Sequence, residues 1–200
     1  MNRKIIYAVL VILTLFAVQA AAQVEITQTQ IDRPKPKAAP PKPKTLIEQV
    51  KELVAKAGAT VDESKSSPAM VVSNYLDPKT SLKTNIVILQ SKNKTLLSFY
   101  IYNFGNVRDL PNKDEVYRYL LSTNDKISIG SFFVDDEDDI GYKYIINVGT
   151  TITKSAFDTI YLSMLATERE HKPEIRKLLG LEPDKPLDPK KAAEDKPPTR

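Results

Sequence analysis

Three runs rich in β-branched and aromatic residues follow one another between residues 69 and 104. "AMVVSNYL" (69–76), "LKTNIVILQ" (82–90) and "TLLSFYIYNF" (95–104) are separated only by "DPKTS" and "SKNK". Parallel strands need a crossover of a dozen or so residues, and neither gap has room for one. The three runs are therefore predicted to be antiparallel neighbours joined by turns. That single constraint removes the doubly wound folds and directs the remaining segments to the outside of an antiparallel sheet.

The flanking segments read consistently with this. "TLIEQVKELVAKAG" places Thr45 and Glu48 at capping-box spacing, puts Leu46, Val50, Leu53, Val54 and Ala57 on one helical face, and stops at Gly58. "LPNKDEVYRYLLSTND" is predicted as a second helix that starts near Asn112 and Glu115, with Val116, Tyr119 and Leu120 as its apolar stripe. Two more strands are expected at 126–134 and 140–148; in the latter Ile140, Tyr142, Tyr144, Ile146 and Val148 alternate with Gly141, Lys143, Ile145 and Asn147. A long helix is expected from Thr153 to Glu170, buried along Phe157, Ile160, Tyr161, Met164 and Leu165. "KPEIRKLLG" reads as a short final helix, with Pro173 near its start and Gly180 past its end. The expected fold is α+β: an antiparallel five-stranded sheet flanked by helices in the order α-β-β-β-α-β-β-α.

Both ends lie outside this domain of residues 45–180. Residues 1–22 begin with Arg3 and Lys4, continue apolar from Ile5 to Val18 and close on Ala20, Ala21 and Ala22, the layout of a secretory signal peptide cut after Ala22. The alternative is an uncleaved inner-membrane anchor, for which the apolar run is short against the ~20 residues a bilayer span needs. Residues 23–44 form a linker whose "DRPKPKAAPPKPK" stretch cannot build helix or sheet and is expected to be extended. Residues 181–200 have the composition of a disordered tail. Export to the periplasm or beyond is the expected localisation.

Charge and composition exclude several functions. The net charge of +4 arises in the linker, because residues 45–180 carry 17 basic against 18 acidic side chains. A nucleic-acid-binding fold concentrates positive charge in the fold itself, so no nucleic-acid partner is expected. The lysines of the linker suit instead a salt-sensitive contact with an anionic envelope surface, wall or lipid. The chain has no cysteine and one histidine, His171, which leaves no thiol chemistry, thiolate metal site or histidine cluster. No nucleophile elbow, phosphate loop or zinc-protease motif is present, so no cofactor, metal or enzymatic activity is expected.

The run "DDEDD" (135–139) is the one dense acidic feature. A calcium loop starting at Asp135 would need Gly at its sixth position and Glu at its twelfth, where Ile140 and Ile146 stand. The run reads as a solvated five-residue hairpin loop. His171 is expected at the end of the long helix, Asn124 as a cap or turn residue, and Gly130 as a bulge or close-packing position. Of Tyr100, Tyr102, Tyr117, Tyr119, Tyr142, Tyr144 and Tyr161, those on the sheet face away from the helices are candidates for a partner-binding patch.

The stretch "LLSTNDKISIGSFFVDDEDDI" (120–140) carries a family pattern: a helix ending in a Leu pair, an Asn, a Gly-x-Phe strand and an acidic turn. With the order of elements, it resembles the YbjN-like family, linked to bacterial sensory transduction, and its type III secretion chaperone-like fold. Leu120, Leu121, Asn124, Gly130, Phe132 and Asp135 are the matching positions, structural in expected role. The resemblance implies a small antiparallel sheet flanked by helices, no enzymatic activity, and a role in regulation or protein interaction. Because secretion chaperones of that fold pair and hold partner segments, it also implies a homodimer. The function expected from the sequence is an exported, non-enzymatic protein-binding or regulatory module. The alternative is an envelope ligand-binding module docked by its basic linker.

Overall fold

The structure, a computed structural model, describes residues 43–187. The expected signal peptide, nearly all of the Pro/Lys linker and the tail from residue 188 lie outside the described residues. The elements run α1 (Leu46–Lys56), β1 (Thr60–Val61), β2 (Met70–Leu76), β3 (Lys83–Gln90), β4 (Leu96–Asn106), α2 (Lys113–Asn124), β5 (Ser131–Val134), β6 (Asp139–Asn147) and α3 (Lys154–Leu178). Among the described residues the strands form one antiparallel sheet in the order β1-β2-β3-β4-β6-β5, with three helices. The α+β class and the antiparallel hairpins therefore stand.

Three details correct the expectation. The sheet has six strands, not five, because Thr60–Val61 pairs with Asn74 and Ser73 at the edge of β2. Two residues are too few to show a period of two, so β1 leaves no mark in the sequence. Next, the strand expected over 126–134 is confined to Ser131–Val134. Gly130 adopts φ +81° and breaks the extended run despite the alternation of Ile127 and Ile129. Finally, the long and the short C-terminal helices are one helix of 25 residues with Pro173 inside it. Proline removes a single main-chain bond there, to the carbonyl four residues earlier. The buried side chains of Lys172 and Ile175 hold the helix against the fold on either side of the gap.

Alternation along the strands separates two faces. Val71, Ile86, Ile88, Leu97, Phe99, Ile101, Ile140 and Tyr142 point inward and join Val50 and Val54 of α1 and Phe157, Tyr161 and Met164 of α3 in one core. Burying each such side chain contributes about 1.5–3 kcal/mol. The Phe99 and Phe157 rings lie 6.1 Å apart, and the Phe157 ring stacks on Tyr161 at 5.2 Å. The Tyr161 hydroxyl shares a 2.5 Å hydrogen bond with Ser73, the buried polar pair between α3 and β2. Burial pushes the Tyr161 pKa up to about 12, with the Ser73 bond opposing that shift. The Thr45/Glu48 capping box is present at the start of α1.

The chain past α3 does not leave the domain at once. Leu181 N donates to Arg176 O, Arg176 Nε to Glu182 O, and Leu187 N to Ser81 O at 3.0 Å, so residues 181–187 lie across the β2–β3 hairpin.

Candidate protein-binding face

All three helices of the described residues contribute to the same core, and none of them covers the opposite face of the sheet. Pair register shows what that face carries. One row runs Val72, Val87, Tyr100, Lys143 and Ser131 across β2, β3, β4, β6 and β5; a second runs Met70, Leu89, Ser98 and Ile145. Val72 is buried yet lies outside the core cluster, as its outward position requires. Ile145 is 50% exposed and Tyr102 41%, large apolar areas for an unpartnered sheet.

The centre of the face is an aromatic cluster. Tyr100 and Tyr102 stack at 5.9 Å, and Phe133 meets both edge-on at 6.2 and 5.8 Å. The register pairs Phe133 with Gly141, and a Cβ on Gly141 would collide with the Phe133 ring, so this glycine is what lets the ring lie flat across β6. Lys143 places its ammonium 4.9 Å from the Phe133 ring centre, a cation–π contact. A register shift between Ile101 and Gly105 bends β4 at this point and sets Tyr102 beside the acidic turn. The Tyr102 pKa is raised, first by desolvation and then by Tyr100, Asp135 and Asp139.

The acidic run forms the rim of the face. Only Asp135–Asp138 lie between the strands, one residue fewer than the five-residue loop expected, because Asp139 already opens β6. Asp135 Oδ1 accepts from the Glu137 and Asp139 amides at 3.0 and 2.9 Å, so its carboxylate builds the turn. Asn106 and Arg108 tie the loop to β4 through Glu137 O, both at 2.8 Å. Asp136 and Glu137 remain exposed. The face therefore presents a lysine at its centre and carboxylates at one rim.

Other family-motif residues gather at a corner behind the face. Asn124 Nδ2 donates to Phe132 O at 3.0 Å, and Phe132 N donates to Asn124 Oδ1 at 2.7 Å. The amide thus satisfies the outward N–H and C=O of Phe132 in β5, where a neighbouring strand would bond. Asn124 is not the helix cap, which is Asp125; it shapes the turn instead, as a bridge from α2 to β5. Phe132 is buried against Phe104, Tyr142 and His171. At Gly130 a Cβ would stand 2.6 Å from the Tyr142 hydroxyl and 2.8 Å from Lys143 O. Leu120 is buried, Leu121 is 70% exposed, and Asp135 lies at the far end of β5, so the motif is not one cluster. His171 sits within α3, not at its end, with Nδ1 3.0 Å from the Tyr119 hydroxyl.

Of the seven tyrosines singled out in the sequence, Tyr142 and Tyr161 are core, and Tyr117, Tyr119 and Tyr144 pack against it; Tyr100 and Tyr102 form the open patch. The sequence reading did not single out Phe133, Lys143 or Ile145. A signal existed for Phe133, since adjacent residues of a strand face opposite ways and Phe132 reads as core.

Residues 86–167 match the YbjN family model, described as "Putative bacterial sensory transduction regulator". That span, from β3 into α3, holds the aromatic cluster and the Asn124 corner. No curated protein matches the chain.

Proposed function

We propose that this YbjN-like domain is an exported, non-enzymatic regulatory module that acts by protein contact, and that its open face takes a second copy of the chain. The carrying observation is the aromatic cluster of Tyr100, Tyr102 and Phe133, left open among the described residues, with Lys143 at its centre and the acidic turn at its rim. A two-fold axis lying in the face, across the strands and between Lys143 and the turn, sets each lysine against the other copy's carboxylates. Such an isologous contact needs one patch to be complementary to itself, as this one is in charge. Apolar burial at the centre supplies affinity, and the charges supply register. The family description supports the regulatory role, and the N-terminal pattern of charge, apolar run and alanines supports export.

Light scattering on the full chain tests the pairing. A concentration-dependent dimer is expected, with Lys143→Glu monomeric. Mixing Lys143→Glu with an Asp136→Lys/Glu137→Lys variant restores a heterodimer. A monomeric wild-type chain at high concentration sinks the second-copy reading. If such a monomer still retained envelope proteins through Tyr102 and Phe133, protein contact would survive with a different occupant.

A further inference from the structure

The C-terminal half of α3, the β2–β3 hairpin and residues 183–184 enclose a cavity of about 140 Å³. Tyr75, Leu82, Leu165, Pro173 and Pro183 give it apolar walls. Its floor is charged and deeply buried. Glu168 and Lys172, one turn apart on α3, are 4% and 6% exposed. Lys172 Nζ lies 3.0 Å from Glu168 Oε1, and the Thr84 hydroxyl donates to Glu168 Oε2. Asp77, also buried, accepts from Arg169 and from the amides of Lys79 and Thr80. These two carboxylates are bonded within the sheet and α3.

The third carboxylate comes from elsewhere. Asp184, beyond α3, reaches into the cavity with Oδ2 2.6 Å from Lys172 Nζ and Oδ1 3.5 Å from Arg176 Nε. Four cations, Lys83, Arg169, Lys172 and Arg176, line the cavity against Asp77, Glu168 and Asp184. Withdrawing Asp184 would leave four cations facing two carboxylates: Lys172 would keep Glu168, but Arg176 would lose the carboxylate it faces. Burying a cation without its counter-charge is costly, so this position demands an anion. What supplies it is a short segment carrying Pro183 and Pro186 and held otherwise by a few main-chain bonds.

We propose that this cavity is a binding site for a small organic carboxylate, and that Asp184 holds the ligand's carboxylate position, its side chain giving way to the ligand while Pro183 stays as a wall. An ammonium and a guanidinium converging on one carboxylate give the strong, charge-assisted form of recognition. The apolar walls receive the body of the acid. A cavity of about 150 Å³ takes one benzene ring, which sets the size of that body and excludes a nucleotide or a sugar phosphate. Of the lining residues only Leu165 lies within 86–167, so the site belongs to the parts of the chain that flank the family match. It lies on the helix-covered side, and loss of dimerisation would leave it intact.

The probes are benzoate and its neutral counterpart benzyl alcohol, titrated into the full-length chain and followed by the amide resonances of Ser81 and Leu187 and by the thermal midpoint. Benzoate is expected to shift both amides and raise the midpoint; benzyl alcohol is not. Asp184→Asn removes the competing charge while keeping the Pro183 wall, and benzoate should bind it about tenfold tighter. Arg176→Gln should weaken benzoate by a similar factor. Equal binding of the two probes, or unchanged benzoate affinity in Asp184→Asn, overturns the carboxylate site. Failure of Asp184→Asn to bind benzoate at all overturns the cavity as a ligand site and leaves Asp184 a structural ion pair. Asp184→Asn decides the matter without Arg176→Gln should the latter not fold.

Discussion

Asn124 joins α2 to β5 through both atoms of its amide. Asn124→Ala leaves the Phe132 N–H and C=O without partners at a half-buried position, and a loss of about 2 kcal/mol is expected. Asn124→Asp keeps the acceptor but not the donor, and about half that loss is expected. Urea midpoints at unchanged slope would measure both; equal stability of all three proteins would deny the bridge its role. Gly130→Ala should cost about 2 kcal/mol or more, because the new Cβ meets a backbone oxygen as well as Tyr142 while φ stays at +81°. These two positions were legible as unusual, in a strand-like run that holds a glycine and follows an asparagine. Their partners were not, since the Asn124 bridge spans a turn whose path depends on Gly130 itself.

Among the elements, those with a clear period were legible. The Thr45/Glu48 capping box fixed the start of α1, and alternation in β6 sorted Ile140, Tyr142, Tyr144 and Ile146 from Lys143 and Ile145. Short or interrupted patterns were not: β1 has two residues, and Pro173 mimics a helix start inside α3. The open face was half legible, as two tyrosines of β4. Its lysine and phenylalanine come from β6 and β5, and which of them meet Tyr100 is set by non-local register and the bend in β4. Phe133→Ala should cost about 1 kcal/mol through the lost aromatic contacts and the exposed Gly141 backbone. The same change should abolish the pairing proposed for this face, as read by light scattering. Loss of the dimer with a stability change of this modest size separates a contact surface from a folding defect.

For the whole molecule, the strongest pH effect is expected on the alkaline side. Burial raises the pKa of Tyr161 to about 12 and that of Tyr142 in the same direction. The unfolded chain begins to release phenolic protons near pH 10, while the folded core retains them. Above that point the unfolded state binds fewer protons, so stability, fully present below pH 10, falls as pH rises toward 12. Tyr161→Phe should flatten this fall while costing about 1 kcal/mol at neutral pH, where Ser73 loses its partner. Denaturation midpoints from pH 8 to 11.5 check both. The sheet's boundaries have a further consequence. Its outer strands have two and four residues, and the outward peptide of Phe132 in the longer one is already taken by Asn124. Fibril growth needs an open row of amides and carbonyls on which another chain can lay a strand. Here that template is too short on one side and occupied on the other. The exposed aromatic face thus lies between two edges that offer an amyloid no ladder to extend.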